Sequence, residues 1–220
     1  MKQTISKRDF ANMLNEAAKR IREQHKLLTE LDSVAGDGDH GATMMRVAEQ
    51  LETAINAKDL PGWEMLFKNM GWNVMGVDGG ASSAILGTFI GGMGDAEVGE
   101  ELDCDDLAKI FDAGLCAVSK RSKAQVGDKT MMDALVPAVG AIRTAASLGK
   151  TISIALREAA MAARAGAEST KALIAKHGRA RFLGEKTRGY ADAGATSVAF
   201  LFEGFSAGMK PEIEKGKEYV

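Results

Sequence analysis

Apolar side chains recur at steps of three and four along most of the chain, the spacing that places them on one face of an α-helix. One such face lies within residues 10–21 and another within residues 107–118. Further helices are predicted at residues 41–55, 63–75, 81–90, 130–146, 152–176 and 196–207. Alternating β-branched residues, which would predict strands, are scarce. The pattern therefore indicates an all-α protein.

Residues that end helices separate these segments. Pro61-Gly62, a glycine cluster at residues 91–94 and Gly149 each follow a predicted helix, and proline and glycine favour turns at such places. We find no internal repeat, low-complexity segment or interdomain linker in the sequence. The sequence thus predicts a single domain over residues 1–220, with about eight helices and short connections.

The composition narrows the class of function. The chain has 220 residues, of which 45% are hydrophobic, and this is enough to bury one sizeable core. Its 28 basic and 30 acidic residues give a formal net charge of -2, so no broad field of either sign would attract nucleic acid or an anionic membrane. Aromatic residues make up only 5%, which argues against stacking on bases. We predict neither a nucleic-acid partner nor a membrane partner.

The sequence also predicts a cytoplasmic protein. Its first ten residues, MKQTISKRDF, carry charges every few positions and resemble no export signal. No uncharged apolar run reaches the roughly eighteen residues of a membrane span. Cys104 and Cys116 are expected to be two buried thiols, because a lone pair of cysteines in such a chain is rarely a disulfide.

A segment rich in glycine and aspartate, LDSVAGDGDHGATMMRV, occupies residues 31–47. Gly36, Gly38 and Gly41 formally match the dinucleotide-binding pattern G-x-G-x-x-G. That pattern requires a buried strand before the first glycine, whereas the preceding residues KLLTELDSV continue a helix. A loop that cradles phosphate directly should also not present carboxylates to it. A dinucleotide site is therefore not predicted here.

Asp32, Asp37 and Asp39 place three carboxylates within eight residues. The glycines between them allow a tight bend that turns all three inward, where unpaired carboxylates would repel one another and resist ionising. Mg²⁺ removes this conflict, since it takes carboxylate oxygens and fills its remaining positions with water and substrate phosphates. The segment predicts a magnesium site between aspartate and phosphate. A solvated acidic turn that caps a helix is the alternative.

A second glycine-rich segment, GVDGGASSAILGTF, occupies residues 76–89. Backbone amides from Gly79 onward, together with the hydroxyls of Ser82 and Ser83, lie at a predicted helix start, where they could bind phosphate. Close helix packing through small residues is the alternative. In VGDKTMMD, Met131 and Met132 offer adaptable packing for a flat ring, although core packing would use the same residues.

A basic segment, GRARFLGEKTRGYADAGATS, occupies residues 178–197. Four of these segments together resemble the nucleotide-binding L subunit of dihydroxyacetone kinase, in order from residue 31 to residue 200: LDSVAGDGDHG, DGGASSAILGTF, GDKTMMDALVPA and GRARFLGEKTRGYADAGATS. The resemblance implies a barrel of antiparallel helices that holds ADP or ATP and two Mg²⁺ at one end.

The resemblance also assigns residues to the site. It implies that Asp32, Asp37 and Asp39 are the magnesium ligands. The positions that it implies for nucleotide binding are His40, Gly41, Ala42, Thr43, Ala81, Ser82, Ser122, Met131, Arg179, Asp192, Ala193 and Gly194. Ser83, Ser122 and Ala193 depart from the commoner family pattern, so we expect the phosphate and adenine contacts to differ in detail.

The resemblance implies a phosphotransferase that works with partners. The chain leaves no room for a substrate domain, which favours a separate subunit acting on dihydroxyacetone that a K subunit holds through a histidine. A phosphohistidine protein of the sugar phosphotransferase system, the M subunit, would rephosphorylate bound ADP. The base for the substrate hydroxyl would belong to the partner, so no catalytic side chain is predicted in this chain. The alternatives are an ATP-dependent kinase subunit for a related ketose such as erythrulose, and a nucleotide-loaded regulator that docks to a transcription factor.

Overall fold

The computed structural model describes residues 4–209 of the chain. Within this range, eight α-helices account for nearly all regular structure, and the one β feature is an isolated bridge between Ile5 and Leu102. The helices are α1 (Lys7–Ala35), α2 (His40–Ile55), α3 (Trp63–Met75), α4 (Gly80–Met93), α5 (Cys104–Arg121), α6 (Met132–Ser147), α7 (Ile152–Ser169) and α8 (Ala193–Gly208). Two 3-10 helices, Thr170–Ala172 and Arg179–Thr187, lie between α7 and α8. The predicted all-α class is confirmed.

Local side-chain bonds set several helix starts. Ser6 and Asp103 each cap a helix through a reciprocal bond with an aspartate three residues later, which satisfies main-chain donors that the helix leaves open. Asp192 caps α8, because its carboxylate accepts from the Ala195 amide at 2.7 Å. This cap explains why α8 begins at Ala193 and not near residue 196, as the periodicity predicted.

The prediction that α7 continues to residue 176 is wrong. The α-helix ends at Ser169 and gives way to a 3-10 turn. A continuing helix would use the Thr170 carbonyl as an acceptor, but the Lys129 ammonium takes that oxygen at 2.6 Å. The Thr170 hydroxyl meanwhile accepts from the Asp192 amide at 2.8 Å. Contacts distant in sequence therefore end a segment whose composition suits a helix.

The helices pack in a closed cycle. Each helix packs against the next along the chain, and α8 returns to pack against α1. Small residues permit close crossings: a Cβ built on Gly204 in α8 would lie 2.2 Å from the Ala17 Cα in α1, and one on Gly87 would lie 2.7 Å from the Gly71 carbonyl oxygen. The four connections α1–α2, α3–α4, α5–α6 and α7–α8 contribute residues to one cavity. Alternate connections therefore meet at one end of the fold.

The two cysteines differ in environment. Cys104 is buried, but Cys116 is exposed, and both are reduced thiols. The expectation of two buried thiols is wrong for Cys116, which lies two residues from both Gly114 and Val118 of the buried face and so points to the opposite side of α5. Over residues 4–209, no helix combines the length and apolarity needed to cross a lipid bilayer.

Candidate functional site

A cavity of about 570 Å³ opens where the four connections meet, a volume in the range of small-ligand sites. Most of the predicted site residues line it. These are Asp32, Asp37, Asp39, His40, Ala81, Ser82, Ser122, Met131, Arg179, Asp192, Ala193 and Gly194. Gly41, Ala42 and Thr43 are not part of this lining. The structure thus brings together predicted residues from four segments that are far apart in sequence.

The acidic loop between α1 and α2 folds as it does because of its glycines. A Cβ on Gly36 would lie 2.1 Å from the Asp32 carboxylate, so a side chain there would collide with that group. Gly38 has a φ of +75°, a conformation that side chains rarely adopt, and a Cβ there would lie 2.7 Å from the Ser33 hydroxyl. The bend that was predicted from the sequence therefore requires both glycines.

The loop gathers its carboxylates into one cluster. Asp32, Asp37 and Asp39 each offer an oxygen, and these oxygens all lie within 4.8 Å of one another. Asp32 is half-buried and also accepts hydrogen bonds from the amides of Asp39, at 3.1 Å, and His40, at 3.3 Å. These bonds fix the Asp32 carboxylate at the start of α2, while Asp37 and Asp39 are exposed.

Positive charge reaches the cluster from another connection that lines the cavity. The Arg179 guanidinium, carried by the α7–α8 connection, forms an ion pair with Asp37. Its hydrogen bond holds the pKa of the Asp37 carboxyl below its ordinary value, and the charge of Arg179 acts in the same direction. All three carboxylates lie within the electrostatic reach of Arg179.

The donor set fits a hard divalent cation. Three carboxylate oxygens within 4.8 Å of one another are ligands that Mg²⁺ accepts. A single guanidinium offsets only one of three negative charges, so the cluster has room for further positive charge. The interpretation of these aspartates as metal ligands is consistent with this geometry and stays a prediction.

His40 starts α2 beside the cluster. Its side chain is buried and its Nε2 lies 3.2 Å from the Ser197 hydroxyl of α8. Burial lowers the pKa of this imidazole, against the opposing effect of Asp32 and Asp39. The geometry favours a neutral ring that ties α2 to α8.

Of the next three predicted residues, Gly41 and Thr43 are buried against neighbouring segments and Ala42 is exposed. A Cβ on Gly41 would lie 2.2 Å from both the His25 carbonyl oxygen and the Thr29 hydroxyl, so its lack of a side chain lets α2 pack on α1. Thr43 is buried, and its methyl group would lie 2.2 Å from a Cβ on Gly79. Thr43 of α2 therefore packs directly against Gly79 of the second glycine-rich loop.

That second loop opens α4. Gly80 has a φ of +59°. Gly79, the N-cap residue of α4, provides no side-chain cap for the first amides of the helix. Amides at a helix start are donors for anionic groups. Ser82 lines the cavity. The prediction that the Ser83 hydroxyl could bind phosphate is wrong. Ser83 follows Ser82 in the helix but is buried, and its hydroxyl donates to the Val77 carbonyl at 2.9 Å.

The α5–α6 connection forms another wall of the cavity. Ser122 follows the last residue of α5, and Met131 is buried against the start of α8, where a Cβ on Gly194 would lie 3.4 Å from its Cβ. Met132 is buried in the core and does not line the cavity. Of the two methionines proposed to pack on a flat ring, only Met131 is placed to do so.

Three residues that the sequence reasoning left unassigned organise this wall. Asp133 is buried and accepts from the amides of Gly127, at 2.6 Å, and Thr130, at 2.7 Å. Asp128 accepts from Lys176 at 2.8 Å, and this hydrogen bond is the main cause that lowers the pKa of its carboxyl to about 2. Lys129 is buried and lines the cavity. Their motif, GDKTMMD, was noted in the sequence, but nothing in it reveals their distant partners.

Asp192 connects this wall to α8. Burial raises the pKa of its carboxyl to about 6, although the Ala195 amide and the Lys129 ammonium both favour the ionised form. Burial in turn lowers the pKa of Lys129, while the carboxylates of Asp192 and Asp133 raise it. Lys129 and Asp192 thus interact electrostatically, and both line the cavity together with the cluster of three aspartates.

Comparison with known proteins points to one family. A family profile described as the DAK2 domain matches residues 34–207 of the chain. The chain is 36% identical over 189 residues to the PEP-dependent dihydroxyacetone kinase 1, ADP-binding subunit DhaL, of Listeria innocua, covering 86% of this chain and 90% of that protein. It is 35% identical over 205 residues to the PEP-dependent dihydroxyacetone kinase, ADP-binding subunit DhaL, of Escherichia coli K12, covering 91% of this chain and 96% of that protein.

A solved structure shares the fold. The dihydroxyacetone kinase from C. freundii, in complex with AMP-PNP and Mg²⁺, superposes with a TM-score of 0.71 at 24% identity. The superposition covers 94% of this chain and 35% of that chain. The present chain therefore corresponds to about a third of the larger kinase, and at this level of identity the likeness concerns the fold.

Proposed function

The chain belongs to the DAK2 domain family, and we propose that it is the nucleotide-binding phosphotransferase subunit of a dihydroxyacetone kinase. It would transfer a phosphoryl group to dihydroxyacetone that a separate K subunit holds. Relatives named as ADP-binding subunits of PEP-dependent kinases support bound ADP as the coenzyme, with a phosphohistidine protein as the donor. The cyclic packing of the helices supports the antiparallel barrel that the resemblance implies.

One observation carries the proposal. The three-aspartate cluster and the uncapped start of α4 line the same cavity. The cluster suits a divalent cation, and the helix start suits an anion. A nucleotide that carries a metal on its phosphates satisfies both walls at once. The cavity of about 570 Å³ leaves room for the rest of a nucleotide against Met131 and Ser122.

The chain's own residues would bind and orient this nucleotide. Asp32, Asp37 and Asp39 would hold two Mg²⁺, which when bound supply positive charge against the phosphate oxygens. The first amides of α4 and the Ser82 hydroxyl would donate hydrogen bonds to phosphate oxygens and fix their orientation. Arg179 lies at the same cavity edge and would add a second cationic contact.

The partner would supply what the cavity lacks. Phosphoryl transfer requires the attacking and leaving oxygens to be roughly in line and shielded from bulk water. A triose has few atoms with which to bind an incidental surface. We therefore infer that the K subunit covers the cavity, presents the ketone and provides the base for its hydroxyl. Docking should involve residues 36–40 and 184–193.

A reconstitution assay tests the proposal. Dihydroxyacetone phosphorylation is measured with the chain and ATP, then with a K subunit and ATP, and then with a K subunit and a phosphohistidine donor. We expect turnover only in the third mixture, because bound ADP would be recharged in place. Turnover in the first mixture would exclude the two-subunit proposal. Turnover in the second would indicate exchangeable ATP, and no turnover in any mixture would favour the regulatory alternative.

A further inference from the structure

The connection between α7 and α8 spans the cavity as an arch, which we define as residues 170–190. Its Arg179 pairs with Asp37 of the acidic loop, which lines the same cavity. Within the arch, Thr170, Ala175 and Thr187 are the buried residues, and most of the others are exposed. So little apolar burial cannot position the segment by itself, since local stability follows buried contacts. Polar contacts must therefore help to hold it, both at its two ends and where Asp128 accepts from Lys176 and His177.

The two ends of the arch meet at one ammonium group. Lys129 is only 5% exposed, and its Nζ donates to the main-chain carbonyl oxygens of Thr170 at 2.6 Å and Tyr190 at 2.5 Å. An ammonium carries three donors and can serve both carbonyls together. Two further bonds close the base of the arch, from the Gly189 amide to the Lys171 carbonyl at 2.8 Å and from the Asp192 amide to the Thr170 hydroxyl at 2.8 Å.

Lys129 also has an unfavourable backbone conformation. Its φ is +59°, and among the described residues it is the one non-glycine with positive φ. Such a conformation persists only where the surroundings over-determine it. Here the buried Asp133 carboxylate holds the amides on both sides of Lys129, those of Gly127 and Thr130. The strained backbone aims the lysine side chain at the base of the arch.

We propose that Lys129 is a positioning residue that ties the two ends of the arch together and thereby holds Arg179 beside the aspartate cluster. Lys129 acts through the arch and not through the reacting atoms. Its ammonium donates to two main-chain carbonyls, whereas Arg179 is 72% exposed and pairs with the cluster. Without this tie, Thr170 and Tyr190 would lose their shared donor and the arch would open more often.

Amide hydrogen exchange on the full chain without ligand tests the tie directly. Lys129→Met keeps an unbranched side chain of similar length but removes the ammonium. We expect peptides covering residues 171–189 to exchange roughly tenfold faster or more in this variant, because local opening becomes easier. Peptides from α3 and α4 should keep their parent rates. Unchanged exchange in the arch, or an equal acceleration in all helices, would overturn the proposal.

Two further variants separate the ammonium from other effects. Lys129→Gly removes the ammonium and the backbone strain together, so its arch should exchange as fast as in Lys129→Met; a parent-like rate would show that the ammonium is dispensable. Lys171→Met is the matched control, because it removes an exposed arch lysine that pairs only with Glu168. Its arch should exchange at the parent rate, and acceleration equal to that of Lys129→Met would overturn the proposal.

A double-mutant cycle tests whether Lys129 acts through Arg179, and this part rests on the proposed nucleotide function. Mg·ADP affinity is measured by calorimetry for the parent, Lys129→Met, Arg179→Ala and the double variant. Lys129→Met should weaken binding severalfold in the parent but little once Arg179 is absent, because residues that act through one another are not additive. Additive losses would overturn the coupling. A parent chain that does not bind Mg·ADP refutes the proposed function and leaves the exchange result to judge the tie.

Discussion

The Arg179 guanidinium pairs with the Asp37 carboxylate, joining two connections that lie 142 residues apart in sequence. The pair connects the arch to the acidic loop at the edge of the cavity. In the proposed function, Asp37 is also a metal ligand, so a divalent cation and Arg179 share one carboxylate. The cation and Arg179 would then compete for the charge of this carboxylate.

Removing Arg179 should make the aspartate cluster easier to load with metal alone. In Arg179→Gln, we expect Mn²⁺ to bind the nucleotide-free chain a few times more tightly, because a competing cation is gone, while exposed ion pairs hold only weakly. Electron paramagnetic resonance of free Mn²⁺ measures this affinity. Arg143→Gln, which breaks the distant pair with Asp112, is the control. Weaker Mn²⁺ binding in Arg179→Gln than in this control would contradict the shared-carboxylate interpretation.

Asp37→Asn should weaken nucleotide binding without unfolding the protein. The exposed carboxylate lies at a bend, so the substitution preserves volume but removes one of the three carboxylates that the proposed function assigns to the cation. We expect Mg·ADP affinity to fall on the order of tenfold or more, with an unchanged melting temperature. Calorimetry and thermal unfolding measure the two quantities. Asp95→Asn, which affects only a surface pair with Lys68, should alter neither. Unchanged Mg·ADP affinity in Asp37→Asn would show that Asp37 is not a ligand.

The two serines of the second loop should respond in opposite ways to alanine. Ser82→Ala is expected to weaken Mg·ADP binding and leave stability unchanged, because Ser82 lines the cavity. Ser83→Ala is expected to lower the free energy of unfolding by about 1–2 kcal/mol, because the buried Val77 carbonyl loses its donor. Urea unfolding and calorimetry on both variants decide the matter. The reverse pattern would show that the roles assigned to the two serines are wrong.

Two glycines offer a matched test of helix packing. Gly41→Ala should destabilise the protein by about 1–3 kcal/mol, because its Cβ would collide with α1 at 2.2 Å. Gly140→Ala should be neutral or stabilising by up to about 1 kcal/mol, since a Cβ there meets nothing within 4 Å and alanine favours the helix. Denaturant unfolding compares them. Equal stability of the two variants would argue that Gly41 is not held against α1.

The stabilising effect of Asp128 should depend on pH in a defined window. Contacts with Lys176, the Gln125 amide and His177 lower the pKa of the Asp128 carboxyl from 3.8 to about 2. A lowered pKa in the folded state stabilises the protein above the unfolded value, and this stabilisation is lost as pH falls through the folded value. The melting temperature of Asp128→Asn should therefore lie below that of the parent at about pH 5–7. The difference should shrink between about pH 4 and pH 2, and a difference that grows on acidification would contradict the ion pair.

Local information determined most of the helices and the acidic loop. The spacing of apolar residues predicted α3 at its observed bounds and α2 to within one residue, because a helix is stabilised by contacts between near neighbours and by one buried face. The bend at Gly36 and Gly38 was likewise predictable, since the steric demands of a tight turn act over a few residues.

Contacts across the fold decided the rest. The inward turn of Ser83, the packing of Gly41 on α1 and the early end of α7 each depend on partners that are six to forty-one residues away. Lys129 could be read from its motif only as a turn residue, because nothing near it in sequence specifies the carbonyls of Thr170 and Tyr190. A sequence pattern reports which side chains favour a helix or a bend, whereas the partner of a buried polar group is fixed only when distant segments meet and exclude water.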